Sequence, residues 1–148
     1  MSEHDAQALA ERCAQAMYER DRASQTAGMT IEAIAPGQAT LAMTLLPQML
    51  NGHMSAHGGA IFALADSAFA FACNSRNVAS VAQHCSITYV SPGRAGERLV
   101  AECRETNLAG RFGIYDVTVA GDDSRVVALF RGHSAAVRGT VIEGKEQA

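Results

Sequence analysis

The chain has 148 residues, of which 48% are hydrophobic and 18% charged, with a formal net charge of −3. That balance excludes a disordered chain, and the mild acidity excludes nucleic acid as the main partner, which needs a basic footprint, though not a local basic patch for a phosphorylated ligand. The length fits one domain, 1–148, but aromatics are only 5%, Trp is absent and much of the apolar content is alanine, so the core is thin and gains from burial against a second subunit.

The first residues, MSEHDAQALAERC, hold no apolar stretch of the kind a secretory signal needs. Cysteines 13, 73, 85 and 103 show no CxxC spacing, so reduced thiols and a cytosolic location are expected. Residues 5–22 read as a helix: Leu9, Cys13 and Met17 recur every fourth residue, charged side chains lie elsewhere, and Gly28 stops the pattern. Strand patterning follows at 29–35 and 39–46 around the turn dipeptide Pro36-Gly37. Leu41, Met43 and Leu45 share a face, and Pro47 ends the second arm. Residues 47–59, PQMLNGHMSAHGG, read as a loop.

A helix is expected over 58–75. Its apolar run, Ala60 to Cys73, is interrupted by Asp66 and Ser67 and falls short of the ~20 residues a membrane span needs. Apolar residues all round its circumference predict burial on most sides. Four further strands are expected at about 80–91, 97–107, 111–121 and 124–137, joined by short turns at Ser91-Pro92-Gly93, 107–110 and Gly121-Asp122-Asp123. The order is α+β without βαβ alternation, and short turns favour an antiparallel sheet, curved around the long helix.

Two places are candidates for chemistry. Asp66 lies mid-helix among Leu64, Ala65, Ala68 and Phe69. It marks either the one wet face of the helix or a carboxylate in a semi-apolar site, available as nucleophile or general base. The second is the junction Asn51-Gly52-His53-Met54-Ser55-Ala56-His57-Gly58-Gly59, either an ordinary glycine turn or an oxyanion site. A helix N-terminus presents unpaired N–H groups and partial positive charge, and glycine lets a ligand approach the backbone. A metal held by His53, His57 and Asp66 is disfavoured, because their glycine- and serine-rich setting does not support a helical i, i+4 pair and HExxH is absent. Ser67 lacks a GxSxG context. Arg94, Arg111, Arg125, Arg131 and Arg138 fall in or beside the strand-rich half, as solvated edge charges or, for a few, as phosphate contacts.

The segment NGHMSAHGGAIFALADSAFAFACNS, with QMLNGH, SITYVSPGRAGERL and VALFRGHS followed by GTVI, resembles the hotdog-fold acyl-CoA thioesterases of the PaaI type, from phenylacetate degradation. HGG followed by LAD carries most of that likeness, which spans nearly the whole chain. The resemblance implies a hotdog fold, a homodimer whose sheets pair edge to edge and which assembles into a homotetramer, active sites at the dimer interface, and no cofactor or metal. It implies Asp66 as the catalytic carboxylate and Gly58 as the N–H donor that polarises the thioester carbonyl. It implies Asn51 beside the carbonyl and water, and His57 in a supporting hydrogen-bonding role, with Asp66 working against Asn51 and Gly58 of the partner subunit. A hydroxyl residue that some related enzymes carry on the strand after the helix has Ala82 as its counterpart here, with Gln83 and Ser86 close by. Gly59, Arg94 and Arg111 are the expected contacts for substrate or coenzyme A. The expected activity is hydrolysis of (hydroxy)phenylacetyl-CoA or similar aryl-acyl-CoA thioesters to acid plus CoA. The alternatives are a hotdog hydratase or dehydratase on acyl thioesters and a non-catalytic acyl-CoA-binding module.

Overall fold

The computed structural model describes residues 1–143; residues 144–148 of the expected domain lie outside the described residues. Helix α1 (Glu3–Arg20) begins two residues earlier than the hydrophobic period alone suggests, because Ser2 and Asp5 cap it reciprocally: Ser2 Oγ accepts from Asp5 N, and the Asp5 carboxylate accepts from Ser2 N. It stops at Asp21, whose side chain accepts from Ser24 N and caps a short second helix, α2 (Arg22–Thr26). The expected single helix over 5–22 is therefore two helices joined at a capping aspartate.

Strands β1 (Thr30–Ala35) and β2 (Gln38–Thr44) form the hairpin expected at Pro36-Gly37, with Gly37 at φ +73 where a side chain is strained. Leu41 and Met43 are buried on one face, with Leu45 just beyond the strand. A 3-10 turn at Pro47–Met49 interrupts the expected loop, and helix α3 (Gly58–Cys73) follows. Strands β3 (Ser80–Tyr89), β4 (Arg98–Ala109), β5 (Phe112–Ala120) and β6 (Val126–Ala136) complete the described chain.

All six strands form one antiparallel sheet in the order β1-β2-β4-β5-β6-β3. Helix α3 packs against every strand, so the curved sheet wraps it as the α+β hotdog reading expects. Its buried residues alternate alanine with large side chains: Ile61, Leu64, Ala65, Ala68, Phe69, Phe71 and Ala72. The alanines let strands approach closely, and the aromatics fill what remains. Phe69 packs on Tyr115 and Phe130 at ring distances of 5.6 and 5.9 Å, and Phe62 meets Phe130 edge-on at 5.4 Å.

The two sheet edges differ. Helix α1 packs against β1. Strand β3 has no strand partner on its outer edge among the described residues, and it leaves Val81 51% and Tyr89 49% exposed. A ten-residue bare edge with apolar side chains is a template for pairing with another chain. Among the described residues, no helix is long and apolar enough to cross a membrane.

Candidate functional site

The loop before α3 is folded around Asn51. Its side-chain Oδ1 accepts from His53 N at 2.9 Å, from Ser55 N at 3.2 Å and from Ser55 Oγ at 3.3 Å. With Oδ1 so committed, the amide nitrogen is the end of Asn51 with donors to offer. Backbone bonds then tie the segment down: Asn51 N to Ser55 O, His57 N to Met49 O and Ala56 N to Gly93 O.

His57 is the N-cap of α3. Its Nδ1 accepts from Gly59 N at 2.9 Å, which fixes the ring proton on Nε2. That bond assigns Gly59 N–H to capping. The Gly58 N–H remains: no acceptor among the described residues meets it, and it opens the positive end of the helix. The Tyr89 hydroxyl donates to the Gly58 carbonyl at 2.9 Å, and a Cβ on Gly58 would sit 3.0 Å from Tyr89 Oη. Glycine at 58 is thus set by close packing as well as by any ligand. Tyr89 falls within SITYVSPGRAGERL, but only its register at the end of β3 shows that it reaches Gly58.

Asn51, Ala56, Gly58, Ile61, Tyr89 and Ser91–Pro92 line an open cleft of about 360 Å³. A buried charge cluster supports its wall. The Glu97 carboxylate is 3% exposed; it accepts from Arg94 N at 2.9 Å, Asp122 N at 3.1 Å and Arg125 Nη2 at 2.9 Å. The same guanidinium donates to Ser91 Oγ and to the Pro92 carbonyl. Burial alone pushes the Glu97 carboxyl up, but Arg125 and the two backbone donors outweigh it and hold the group below its ordinary range. Glu97 falls within SITYVSPGRAGERL, but its role emerges only when the β3–β4 and β5–β6 loops converge.

Asp66 lies two turns along α3 from Gly58, about 12 Å of helix rise, and does not line that cleft. Its surroundings are semi-apolar, and burial pushes its carboxyl up, partly countered by the Cys85 thiol. Within one chain, Asn51, His57 and Gly58 come together and Asp66 stands apart.

The strand residue beside Asp66 is Cys85, whose Sγ lies 3.9 Å from Asp66 Oδ1. Ala82, the counterpart suggested by resemblance, sits opposite Ser134 at the start of a β-bulge, with Gln83 inside the bulge. The arginines divide by partner. Arg125 and Arg131 are committed to Glu97 and Asp116. The Arg94 side chain, 66% exposed, lies 3.6 Å from Asp123, and Arg111 lies over the Phe112 ring. No group of three or more potential metal ligands occurs among the described residues.

The thioesterase superfamily matches residues 53–128. The acyl-coenzyme A thioesterase PaaI of Escherichia coli K12 is 44% identical over 128 residues, covering 86% of this chain and 91% of that protein. The solved structure of the E. coli PaaI protein from the phenylacetic acid degradation operon superposes with TM-score 0.88 at 43% identity, covering 89% of this chain and 96% of that one. A mutant of the phenylacetic acid degradation protein PaaI of Thermus thermophilus superposes with TM-score 0.76 at 38% identity, covering 79% and 100%. A hypothetical thioesterase of Streptococcus pneumoniae, solved with coenzyme A, shares the fold with TM-score 0.72 at 21% identity, covering 76% and 87%.

Proposed function

Given that this chain belongs to the thioesterase superfamily and is an acyl-CoA thioesterase of the PaaI type, we propose that it hydrolyses (hydroxy)phenylacetyl-CoA or a similar aryl-acyl-CoA at a site shared between two subunits. The observation that carries the proposal is the division of the machinery. One end of α3 presents the Gly58 N–H beside Asn51, and a semi-buried carboxylate with a raised pKa lies two turns away. Neither half suffices alone. Pairing the bare β3 edges of two copies places each Asp66 against Asn51 and Gly58 of the partner subunit.

In this mechanism the Gly58 N–H binds the thioester carbonyl oxygen and stabilises the oxyanion that develops on it. Asn51 contributes its amide beside the same oxygen or the water. Asp66 takes a proton from water as the water oxygen attacks the carbonyl carbon. The tetrahedral intermediate collapses with cleavage of the C–S bond. The thiolate of CoA leaves and recovers the proton from Asp66. Desolvation suits this role, because it makes Asp66 a stronger base than a solvated carboxylate. A thioester carbonyl is electrophilic enough that no serine or cysteine nucleophile is required.

The coenzyme arm crosses the surface, where Arg94 and Arg111 are the proposed phosphate contacts and Gly59 lets the ligand approach. Two such dimers form the proposed tetramer, and each chain contributes a single domain to it. The four thiols are free, in keeping with a reducing cytosol.

The test is thiol release over phenylacetyl-, hydroxyphenylacetyl-, benzoyl- and aliphatic CoA esters. The aryl-acetyl esters are expected to show the highest kcat/KM. An aliphatic preference would overturn the acyl assignment. Tight binding without turnover of any ester, or hydration of enoyl-CoA without thiol release, would overturn hydrolysis itself.

A further inference from the structure

We propose that Cys85 is a positioning residue for Asp66: its thiol docks Oδ1 of the carboxylate and leaves Oδ2 to meet the water. The inference rests on the reading of Asp66 as the base.

The contact is built by packing. Cys85 lies on the inner face of β3 with Ile87, both half-buried against the core. Its Cα partner across the ladder is Gly132 of β6. Gly132 lies directly under Phe69, and a Cβ there would sit 2.8 Å from three atoms of the ring. Phe69 is three residues beyond Asp66, on the same face of α3. The missing side chain at 132 therefore lets α3 settle onto the sheet at this level. That brings the Asp66 carboxylate down to the inner face of β3, where Cys85 Sγ stands 3.9 Å from Oδ1. It is the one hydrogen-bond partner of the Asp66 side chain among the described residues.

The chemistry of a thiol explains why this residue type suits the place. A base must be held in one orientation without losing its basicity. Several amide N–H groups or a guanidinium would orient the carboxylate but push its pKa far down. An S–H is a weak donor, so it orients at little cost to basicity. It must also stay protonated to donate at all. Burial first, and then the Asp66 charge, push the Cys85 thiol up. On α3 itself the other titratable neighbour is Cys73, pushed up to about 12 and so neutral. From α2, Ser24 Oγ meets Ser67 Oγ beside Asp66, at 3.4 Å. On the sheet, His133 meets His84 edge-on at 5.5 Å, and Arg131 pairs with Asp116. Among the described residues no cation or second carboxylate contributes to the Asp66 shift.

The test is a graded series at one position. Cys85→Ala removes the donor, and Cys85→Ser replaces it with a stronger one. The Asp66 carboxyl midpoint is followed directly by 13C NMR of the full chain, assigned through Asp66→Asn. Alongside, kcat and KM for phenylacetyl-CoA are measured across pH. Cys85→Ala is expected to raise the Asp66 midpoint by about half a pH unit. It is also expected to lower kcat roughly 3- to 10-fold with KM unchanged, as loss of orientation at a base should. Cys85→Ser is expected at or below the wild-type midpoint with most of kcat kept. A merely packing role would lower stability without ordering the midpoints. If Cys85→Ala leaves the midpoint unmoved, or if Ser shifts it upward with Ala, the inference is wrong. Should Asp66→Asn keep full activity, the base reading fails instead, and the NMR titration still decides whether Cys85 docks the carboxylate.

Discussion

Glu97 offers the sharpest structural prediction, because one carboxylate joins the β3–β4 and β5–β6 loops behind the cleft. Glu97→Ala removes the acceptor for two backbone N–H groups, Arg94 N and Asp122 N, and for the Arg125 guanidinium. A buried donor left unsatisfied costs about 1–3 kcal/mol. Arg125 keeps Ser91 Oγ, the Pro92 carbonyl and Asp123, so its own loss is softened. The two orphaned amides then dominate, and the variant should lose roughly 3 kcal/mol, a sizeable share of a typical total of 5–15. For a chain of this length that is a fall in Tm of roughly 6–12 °C. Urea and thermal melts at one fixed protein concentration read it, since an oligomer's stability depends on concentration. The pH dependence gives a second check. The folded pKa of Glu97 is depressed, so its stabilisation is fully present above the unfolded value of about 4.3 and is lost as pH falls through the folded value. Wild type and variant should therefore converge on acidification. A loss below about 1 kcal/mol at pH 7, or a difference that persists at low pH, refutes the account of this cluster.

Three further outcomes are expected. If each site combines Asp66 of one subunit with Asn51 and Gly58 of the other, co-refolding Asp66→Asn with Asn51→Ala should restore activity to about a quarter of wild type, because half the dimers are mixed and each mixed dimer has one intact site; no recovery places the whole site within one chain. Asp66 should act on stability with the opposite sign to Glu97: its pKa is raised, so its charged form costs stability above the folded pKa and that cost is relieved as pH falls. Asp66→Asn should therefore melt higher than wild type at pH 7, by roughly 2–4 °C per kcal/mol, with the advantage gone in acid; a lower Tm at pH 7 contradicts the desolvation argument. The acid limb of kcat/KM for the wild type should fall as Asp66 takes up its proton, with a midpoint above the ~3.9 of a free aspartate; a limb at or below that value assigns the base elsewhere.

Periodicity made most of the elements readable in advance. Alternation in β2 and β5 and the all-round apolar α3 depend on near neighbours in sequence, and so does the isolation of Asp66 within α3. The break at Asp21 is hidden because a capping aspartate, with no glycine or proline beside it, ends one helix and starts the next. Sheet order was not legible either: β3 follows α3 directly in the chain yet lies beyond β6 at the far edge. That displacement is why Cys85, and not Ala82, stands beside Asp66, and why Tyr89 reaches Gly58. Gly132 under Phe69 and Glu97 between the β3–β4 and β5–β6 loops belong to the same class. Each is a contact between residues far apart in sequence, and no local pattern encodes it. Asn51, His57 and Gly58 were readable because they lie close in sequence to the helix start they serve.

The central claim is that Asp66 provides the base for thioester hydrolysis. The most direct measurement is kcat/KM for phenylacetyl-CoA, by thiol release, in Asp66→Asn against wild type, with folding confirmed by a melt. A positioned general base is worth about 10²- to 10⁴-fold, so a fall of at least 100-fold with the protein still folded is the predicted result. A folded Asp66→Asn enzyme within about threefold of wild type, less than 1 kcal/mol of barrier, would contradict it.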